Sequence, residues 1–287
     1  MIRTVIICGA GTMGSGIAEL CARHGFRTIL YELDPERLSA AAVRIQQNLD
    51  ALVSKQKISA NEAAASMARM AFTADIRACK GDLVIEAIIE KPEAKSSLFN
   101  QLAAYNGTET IFASNTSSLS ISRIAEGVTG PERVCGLHFF NPAQVMKLVE
   151  VVRAPQTRAD IISVLVEFCR QLGKEPVVCK DSPGFIVNRV ARHYYLEPLR
   201  LAEKGLCTYA QMDALLEAAG FRMGPFRLMD LIGNDVNYAV TESLYEASGK
   251  SVRFRPSPIQ KEKVDQGELG RKTGKGYYEY KAEGSGS

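Results

Sequence analysis

Two sets of residues have the types and spacing to do chemistry. The first is the glycine turn Gly9-Ala10-Gly11-Thr12-Met13-Gly14, followed at a distance by Glu32. A short apolar run at 5–8 leads into the turn, an amphipathic pattern follows (Ile17, Ala18, Leu20, Cys21), and a second apolar run at 28–31 ends in Glu32. The order is strand, turn, helix, strand, acid. Gly9 permits the tight turn, Gly11 leaves room for a pyrophosphate to approach the backbone, and Gly14 lets the helix pack closely on the strand. The helix N-terminus offers free N–H groups and the positive end of its dipole to phosphates. Glu32 can accept hydrogen bonds from both hydroxyls of an adenosine ribose, whereas a 2′-phosphate would meet its negative charge. The set therefore reads as a dinucleotide site with NAD favoured over NADP. The alternative is a glycine-rich turn in an ordinary α/β protein.

The second set lies further along. Ala113-Ser114-Asn115-Thr116-Ser117-Ser118-Leu119 places small polar residues directly after an apolar run. Gly136-Leu137-His138-Phe139-Phe140-Asn141-Pro142 ends another run, and Glu150 stands on the next. Ligands of open α/β sheets gather at the carboxyl ends of strands. A histidine there is placed for general-base work, and a carboxylate on the neighbouring strand can orient its ring and balance the imidazolium. The competing reading of His138 is a hydrogen-bonded, half-buried histidine beside two phenylalanines. Glu150 has the apolar neighbours Leu148, Val149, Val151 and Val152, so it needs a partner if buried.

The elements that must position these groups alternate from residue 1 to about 180. Helical patterns at 35–57, 60–69, 92–104, 121–125 and 160–172 fall between apolar runs at 70–72, 83–85, 110–113, 134–137, 147–152 and 176–179. Such alternation predicts a mostly parallel sheet with helices on both faces. At Asp181-Ser182-Pro183-Gly184-Phe185 the pattern changes, and helical periodicity prevails at 187–204, 209–219, 233–247 and 259–266. Pro198 argues for a kink or an early end of the first of these. The expected fold is an α/β Rossmann-type N-terminal domain at 1–181 plus an all-α C-terminal domain at 182–287, suited to shaping a substrate cleft and an oligomer interface. The closing GSGS marks 283–287 as a flexible tail, left out of the fold reading.

Composition narrows the function. The 287 residues suffice for two domains, and 46% hydrophobic content fills a sizeable core. A net charge of +3 is too small on this length to argue for nucleic acid. No run of about 18 apolar residues predicts a membrane span, and the N-terminus enters a strand at once, with no signal peptide visible. The seven cysteines are scattered without a CxxC pair and read as small buried hydrophobes in a reducing, cytoplasmic compartment. His24, His138 and His193 lie too far apart in sequence to suggest a metal site.

With these residues in view, the chain resembles the L-3-hydroxyacyl-CoA dehydrogenase family, of the bacterial 3-hydroxybutyryl-CoA dehydrogenase type. The resemblance runs nearly end to end: GAGTMGSGIA at 9–18, DLVIEAIIE at 82–90, ASNTSSLSI at 113–121, GLHFFNPAQVMKLVEVV at 136–152, KDSPGFIVNRV at 180–190, RMGPF at 222–226 and LGRKTGKGYYEY at 269–280. It implies reversible NAD-dependent oxidation of a 3-hydroxyacyl-CoA thioester lying in the cleft between the domains. It further implies His138 as base, Glu150 as its partner acid, and Ser117 and Asn188 as the groups holding the substrate hydroxyl and thioester. Gly9, Gly11, Thr12, Met13, Gly14 and Glu32 fall on the cofactor fingerprint, where aspartate is more usual than Glu32. Glu90, Lys95, Asn141 and Lys272 fall where relatives contact NAD.

The resemblance also places Lys55 at the CoA phosphates, although Asn48 replaces a CoA-contacting serine of some relatives. The alternative for Lys55 and Lys57 is a solvated face. Arg227 replaces a usual glutamate, and His193 a frequent proline; His193 reads as structural. The resemblance implies a homodimer through the helical domain. Three rivals stand beside it: a 3-hydroxyadipyl-CoA dehydrogenase, a sugar-acid dehydrogenase on the same fold, and a non-catalytic NAD-binding scaffold.

Overall fold

Short, largely apolar runs that are buried on both faces make the central strands of a parallel sheet. β1 (Thr4–Cys8), β4 (Leu83–Glu86) and β5 (Ile111–Ser114) are such runs. In the computed structural model, which describes residues 2–280, they form the middle of an eight-stranded sheet. The other strands are β2 (Arg27–Tyr31), β3 (Met70–Thr73), β6 (Val134–Phe139), β7 (Leu148–Arg153) and β8 (Glu175–Lys180). The order is β3-β2-β1-β4-β5-β6-β7-β8, and every neighbouring pair is parallel except β6 with β7. β1 has β2 on one side and β4 on the other, so the chain winds away in opposite directions from the carboxyl ends of β1 and β4. Open α/β sheets bind ligands in the crevice at such a switch point.

Six helices cover this sheet: α1 (Thr12–Arg23), α2 (Pro35–Ser54), α3 (Ala60–Ala68), α4 (Pro92–Ala103), α5 (Ile121–Glu126) and α6 (Ala159–Gln171). Successive strand residues point to opposite faces. Val5 and Ile7 therefore join Ile17, Leu20, Ile45 and Phe168 in one core cluster, while Ile6 and Cys8 join Phe99, Phe112, Ile121 and Ile124 in the other. Local signals set the helix starts. Asp34 caps α2, its carboxylate accepting from the Glu36 and Arg37 N–H groups just ahead of Pro35. Ser59 and Glu62 form a reciprocal capping box on α3.

The chain divides into two compact units between Phe185 and Ile186. The second unit is helical: α7 (Val187–Glu203), α8 (Tyr209–Ala218), α9 (Pro225–Ile232), α10 (Asn234–Ala247) and α11 (Pro258–Asp265). Its core gathers Tyr195, Leu199, Met212, Phe226, Met229 and Tyr277. The helical pattern at 187–204 holds: α7 continues through Pro198 to Glu203, without the early end that the proline argued for. Proline removes one donor, and burial of Tyr195, Leu196 and Leu199 around it offsets that loss. α9 lies where the sequence reading assigns no element. Pro225 opens the helix, and the buried Asp213 accepts from the Phe226 and Arg227 N–H groups at 2.9 and 3.0 Å. The tail at 283–287 lies outside the described residues. No helix of the described residues is long and apolar enough to cross a membrane.

Candidate active site

The glycine turn joins β1 to α1. Gly9 sits at φ +102°, and a Cβ there would lie 2.6 Å from the Ala87 carbonyl oxygen. A Cβ on Gly14 would lie 1.8 Å from the Gly9 carbonyl oxygen, so the first turn of α1 packs directly on the loop. Gly11 differs: nothing stands within 4 Å of where its Cβ would be. That open space borders the N-terminus of α1, which no side chain caps. Free helix N–H groups beside an unfilled approach fit a dinucleotide pyrophosphate. Thr12 is exposed at this end and Met13 partly buried.

Glu32 closes the turn from β2. Its Oε2 accepts from Ala10 N–H at 3.0 Å, so the acid and the glycine loop form one unit. Arg44 on α2 braces the same loop, donating to the Ala10 carbonyl at 3.0 Å and to Ser15 Oγ at 2.7 Å.

At the end of β4 lies a buried network that sequence reasoning missed. Glu86 is fully buried, and its carboxylate accepts from Lys95 Nζ (2.6 Å), Ser114 Oγ (2.6 Å) and Ile88 N–H (2.7 Å). Lys95, only 1% exposed, also pairs with Glu90 at 3.1 Å. Glu90 in turn accepts from the Thr116 hydroxyl. The segment after β5 is thereby tied to β4 and α4, and Ser117 sits in it, half-buried between Thr116 and Ser118. Glu90 and Lys95, expected at a cofactor, thus meet each other. The readable signal was an acid ending an apolar strand, LVIE, with a lysine on the helix that follows.

His138 and Glu150 are directly opposed across the antiparallel pair β6 and β7. Nδ1 of His138 lies 2.8 Å from Oε2 of Glu150, and both residues are buried. With Glu150 ionised, Nδ1 carries the proton and Nε2 is left with a lone pair for base chemistry. The ring packs between Phe140 (centroids 4.4 Å apart) and Phe185 (6.0 Å). The next residue, Phe139, donates its N–H to Asn115 Oδ1 at 2.9 Å, which ties the histidine strand to the Ser117 segment.

Asn141 is exposed just past β6. The loop it begins is held from below: Lys174 Nζ donates to the Ala143 and Met146 carbonyls, and Gln144 donates to the buried Glu19. Burial holds the Lys174 ammonium below the usual lysine range. Asn48 also donates to Glu19, at 3.1 Å, so its amide is committed inside the fold. Lys55 is exposed at the C-terminal end of α2.

In the helical unit Asn188 is half-buried on the first turn of α7. Lys272 is ion-paired with Asp235 at 2.6 Å. His193 accepts from Arg253 at 2.8 Å through Nε2 and stacks on Phe254. Burial, then Arg253 and Arg200, lower its pKa. Arg227 pairs with Glu217 at 2.8 Å. All seven cysteines are free, and five are buried.

Comparison with known proteins agrees with this layout. The model of the 3-hydroxyacyl-CoA dehydrogenase NAD-binding domain matches residues 4–182, and that of the same family's C-terminal domain matches 184–280. A 3-hydroxyadipyl-CoA dehydrogenase of Escherichia coli K12 is 47% identical over 284 residues, covering 98% of this chain and 60% of that protein. The crystal structure of a 3-hydroxybutyryl-CoA dehydrogenase from Escherichia coli K12 superposes with TM-score 0.96 at 46% identity, over 100% of this chain and 61% of that one. This chain thus spans about 60% of the length of these two relatives. An (S)-3-hydroxybutyryl-CoA dehydrogenase from Ralstonia eutropha matches with TM-score 0.94 at 36% identity, over 98% of this chain and 100% of that one. The chain belongs to the 3-hydroxyacyl-CoA dehydrogenase family of oxidoreductases, and its sheet unit is that family's NAD-binding domain.

Proposed function

We propose that this chain catalyses the reversible, NAD-dependent oxidation of short (S)-3-hydroxyacyl-CoA thioesters to 3-ketoacyl-CoA. The observation that carries the reading is the buried His138–Glu150 pair, 2.8 Å apart, in the domain that binds NAD. NAD, when bound, supplies the hydride acceptor. His138 removes the proton of the 3-hydroxyl at Nε2. Glu150 fixes the ring through Nδ1 and balances the charge that the imidazole gains. Ser117 and Asn188 hold the hydroxyl and thioester oxygens, which sets the orientation of the carbon that loses hydride. Gly9, Gly11, Gly14 and Glu32 hold the dinucleotide, with Thr12 and Met13 at the helix end. Glu90, Asn141 and Lys272 are assigned to its further contacts, and the buried Lys95 acts by fixing Glu90. Lys55 is assigned to the CoA phosphates.

Two acyl groups contend, 3-hydroxybutyryl and 3-hydroxyadipyl, each named for a relative more than 45% identical. We also assign a homodimer to the helical unit, where Val190, Leu231, Ile232 and Val236 are exposed. Light scattering giving a monomer mass would refute that. Free thiols suit a reducing cytoplasm.

The deciding experiment is turnover of 3-ketoacyl-CoA thioesters of graded chain length, with NADH and NADPH in parallel. Activity with NADH on these thioesters is expected. Activity confined to a free sugar acid, or none at all, would overturn the reading. A higher kcat/KM with NADPH would overturn the assignment of Glu32.

A further inference from the structure

Arg192 is a buried arginine without an acid. It lies in the second turn of α7, 4% exposed, and among the described residues it makes no ion pair. One end of its guanidinium is satisfied. Nη1 donates to the Asn237 carbonyl (2.8 Å), to Asn237 Oδ1 (3.3 Å) and to Thr241 Oγ1 (2.9 Å), all on α10. The plane lies over the Tyr195 ring, 4.9 Å from its centroid. The other edge is not satisfied: Nε is buried and has no hydrogen-bond partner. Desolvation pushes the group down to about 10. A buried cation with an unused donor is costly unless something anionic completes it. If only α7-to-α10 packing were required, a neutral side chain would serve at lower cost.

The position of Arg192 suggests what completes it. Asn188 and Arg192 are four apart on one helix and therefore lie on the same face, one turn from each other. On the reading given above, on which this inference rests, Asn188 holds the substrate near its hydroxyl-bearing carbon. One helical turn is about 5.4 Å, the scale of three carbon–carbon bonds plus a hydrogen bond. The unpaired Nε edge is the side of a guanidinium that grips a carboxylate through two parallel N–H donors.

We infer that Arg192 is a specificity-determining residue that receives the terminal carboxylate of a dicarboxylic 3-hydroxyacyl-CoA, three carbons beyond the hydroxyl carbon. The substrate's own anion then supplies the counter-charge that the fold omits. A monocarboxylic acyl chain of the same length leaves Nε unpaired and is disfavoured.

The test uses the full chain, NADH and three thioesters of equal carbon number in the acyl chain: 3-ketoadipyl-CoA, its terminal methyl ester, and 3-ketohexanoyl-CoA. The wild type should favour the free acid over both others by roughly 10- to 100-fold in kcat/KM, mainly through KM. Arg192→Met should abolish that preference, and Arg192→Lys should retain part of it. If Arg192→Met does not fold, Arg192→Lys carries the test, and a preference unchanged from wild type in either variant would overturn the assignment. Equal use of 3-ketoadipyl-CoA and 3-ketohexanoyl-CoA by the wild type would overturn the assignment while leaving the dehydrogenase reading intact. No turnover of any thioester would overturn that reading, and the assignment with it.

Discussion

His138 and Glu150 are cross-strand partners, opposed in register on β6 and β7 with Nδ1 and Oε2 2.8 Å apart. The contact depends on these two strands being antiparallel in an otherwise parallel sheet. The reversal brings the chain straight back after residues 140–147, so that two residues twelve apart face each other. The sheet backbone fixes the separation, and neither side chain reaches from a mobile loop.

If the pair acts as one unit, His138→Gln should lower kcat by roughly 10²- to 10⁴-fold and leave NAD affinity near normal. Glu150→Gln keeps the shape and removes the charge that favours imidazolium, so it should also lower kcat. The double variant should be little worse than His138→Gln alone. Steady-state kinetics with NAD titration checks this. Full activity in either single variant, or strictly multiplicative losses, would contradict it.

The parts of this site that were legible in the sequence are those set by local spacing. A glycine turn between a strand and a helix, and an acid closing the next strand, identify themselves because each residue acts on its immediate neighbours. The His138–Glu150 pair was legible for a related reason: consecutive strands tend to be adjacent. Glu86, Glu19 and Arg192 were not legible as network centres. Glu86 has Lys95 near it in sequence but also draws on Ser114, Glu19 draws on Asn48 and Gln144, and Arg192 on Asn237 and Thr241, partners that are remote in the chain. No periodicity reports such convergence. Pro198 misled because its local rule weighs a lost hydrogen bond but not the burial around it.

Lys95 neutralises Glu86 where neither can reach water. Lys95→Met should leave a buried carboxylate unpaired and cost about 3–5 kcal/mol of stability. Adding Glu86→Gln should recover part of that loss, because an amide costs less to bury than a lone carboxylate. Urea denaturation monitored by circular dichroism measures both. A single variant within 1 kcal/mol of wild type, roughly the effect of an exposed pair, would show that water reaches the site.

His193 offers a test of stability against pH. Burial and the neighbouring Arg253 and Arg200 hold its pKa below the ordinary value of 6.5. Below that value the unfolded chain binds the extra proton more readily than the folded one. Its contribution is therefore complete above about pH 6.5 and is lost as pH falls through the range beneath. Replacing it with Gln should flatten the dependence of the urea midpoint on pH between about 5 and 7. An unchanged slope would mean that the half-exposed ring is screened by solvent.

Gly11 and Gly14 belong to one turn but carry different burdens, and alanine at each separates them. A Cβ on Gly14 would lie 1.8 Å from the Gly9 carbonyl oxygen, so Gly14→Ala must push α1 away from the loop. It should lower Tm and raise the NAD Kd together, with overpacking costing about 1–3 kcal/mol. Gly11 has open space and a φ of −68°, which alanine adopts without strain. Gly11→Ala should therefore hold Tm within a few degrees of wild type, since glycine and alanine at a helix N-cap differ by roughly 1 kcal/mol. Its methyl group would occupy the approach assigned to the pyrophosphate, so NAD affinity should fall by about tenfold or more, some 1.4 kcal/mol per decade. Differential scanning calorimetry and NAD titration on both variants give the answer. Normal NAD affinity in Gly11→Ala would mean that the dinucleotide does not lie over this turn.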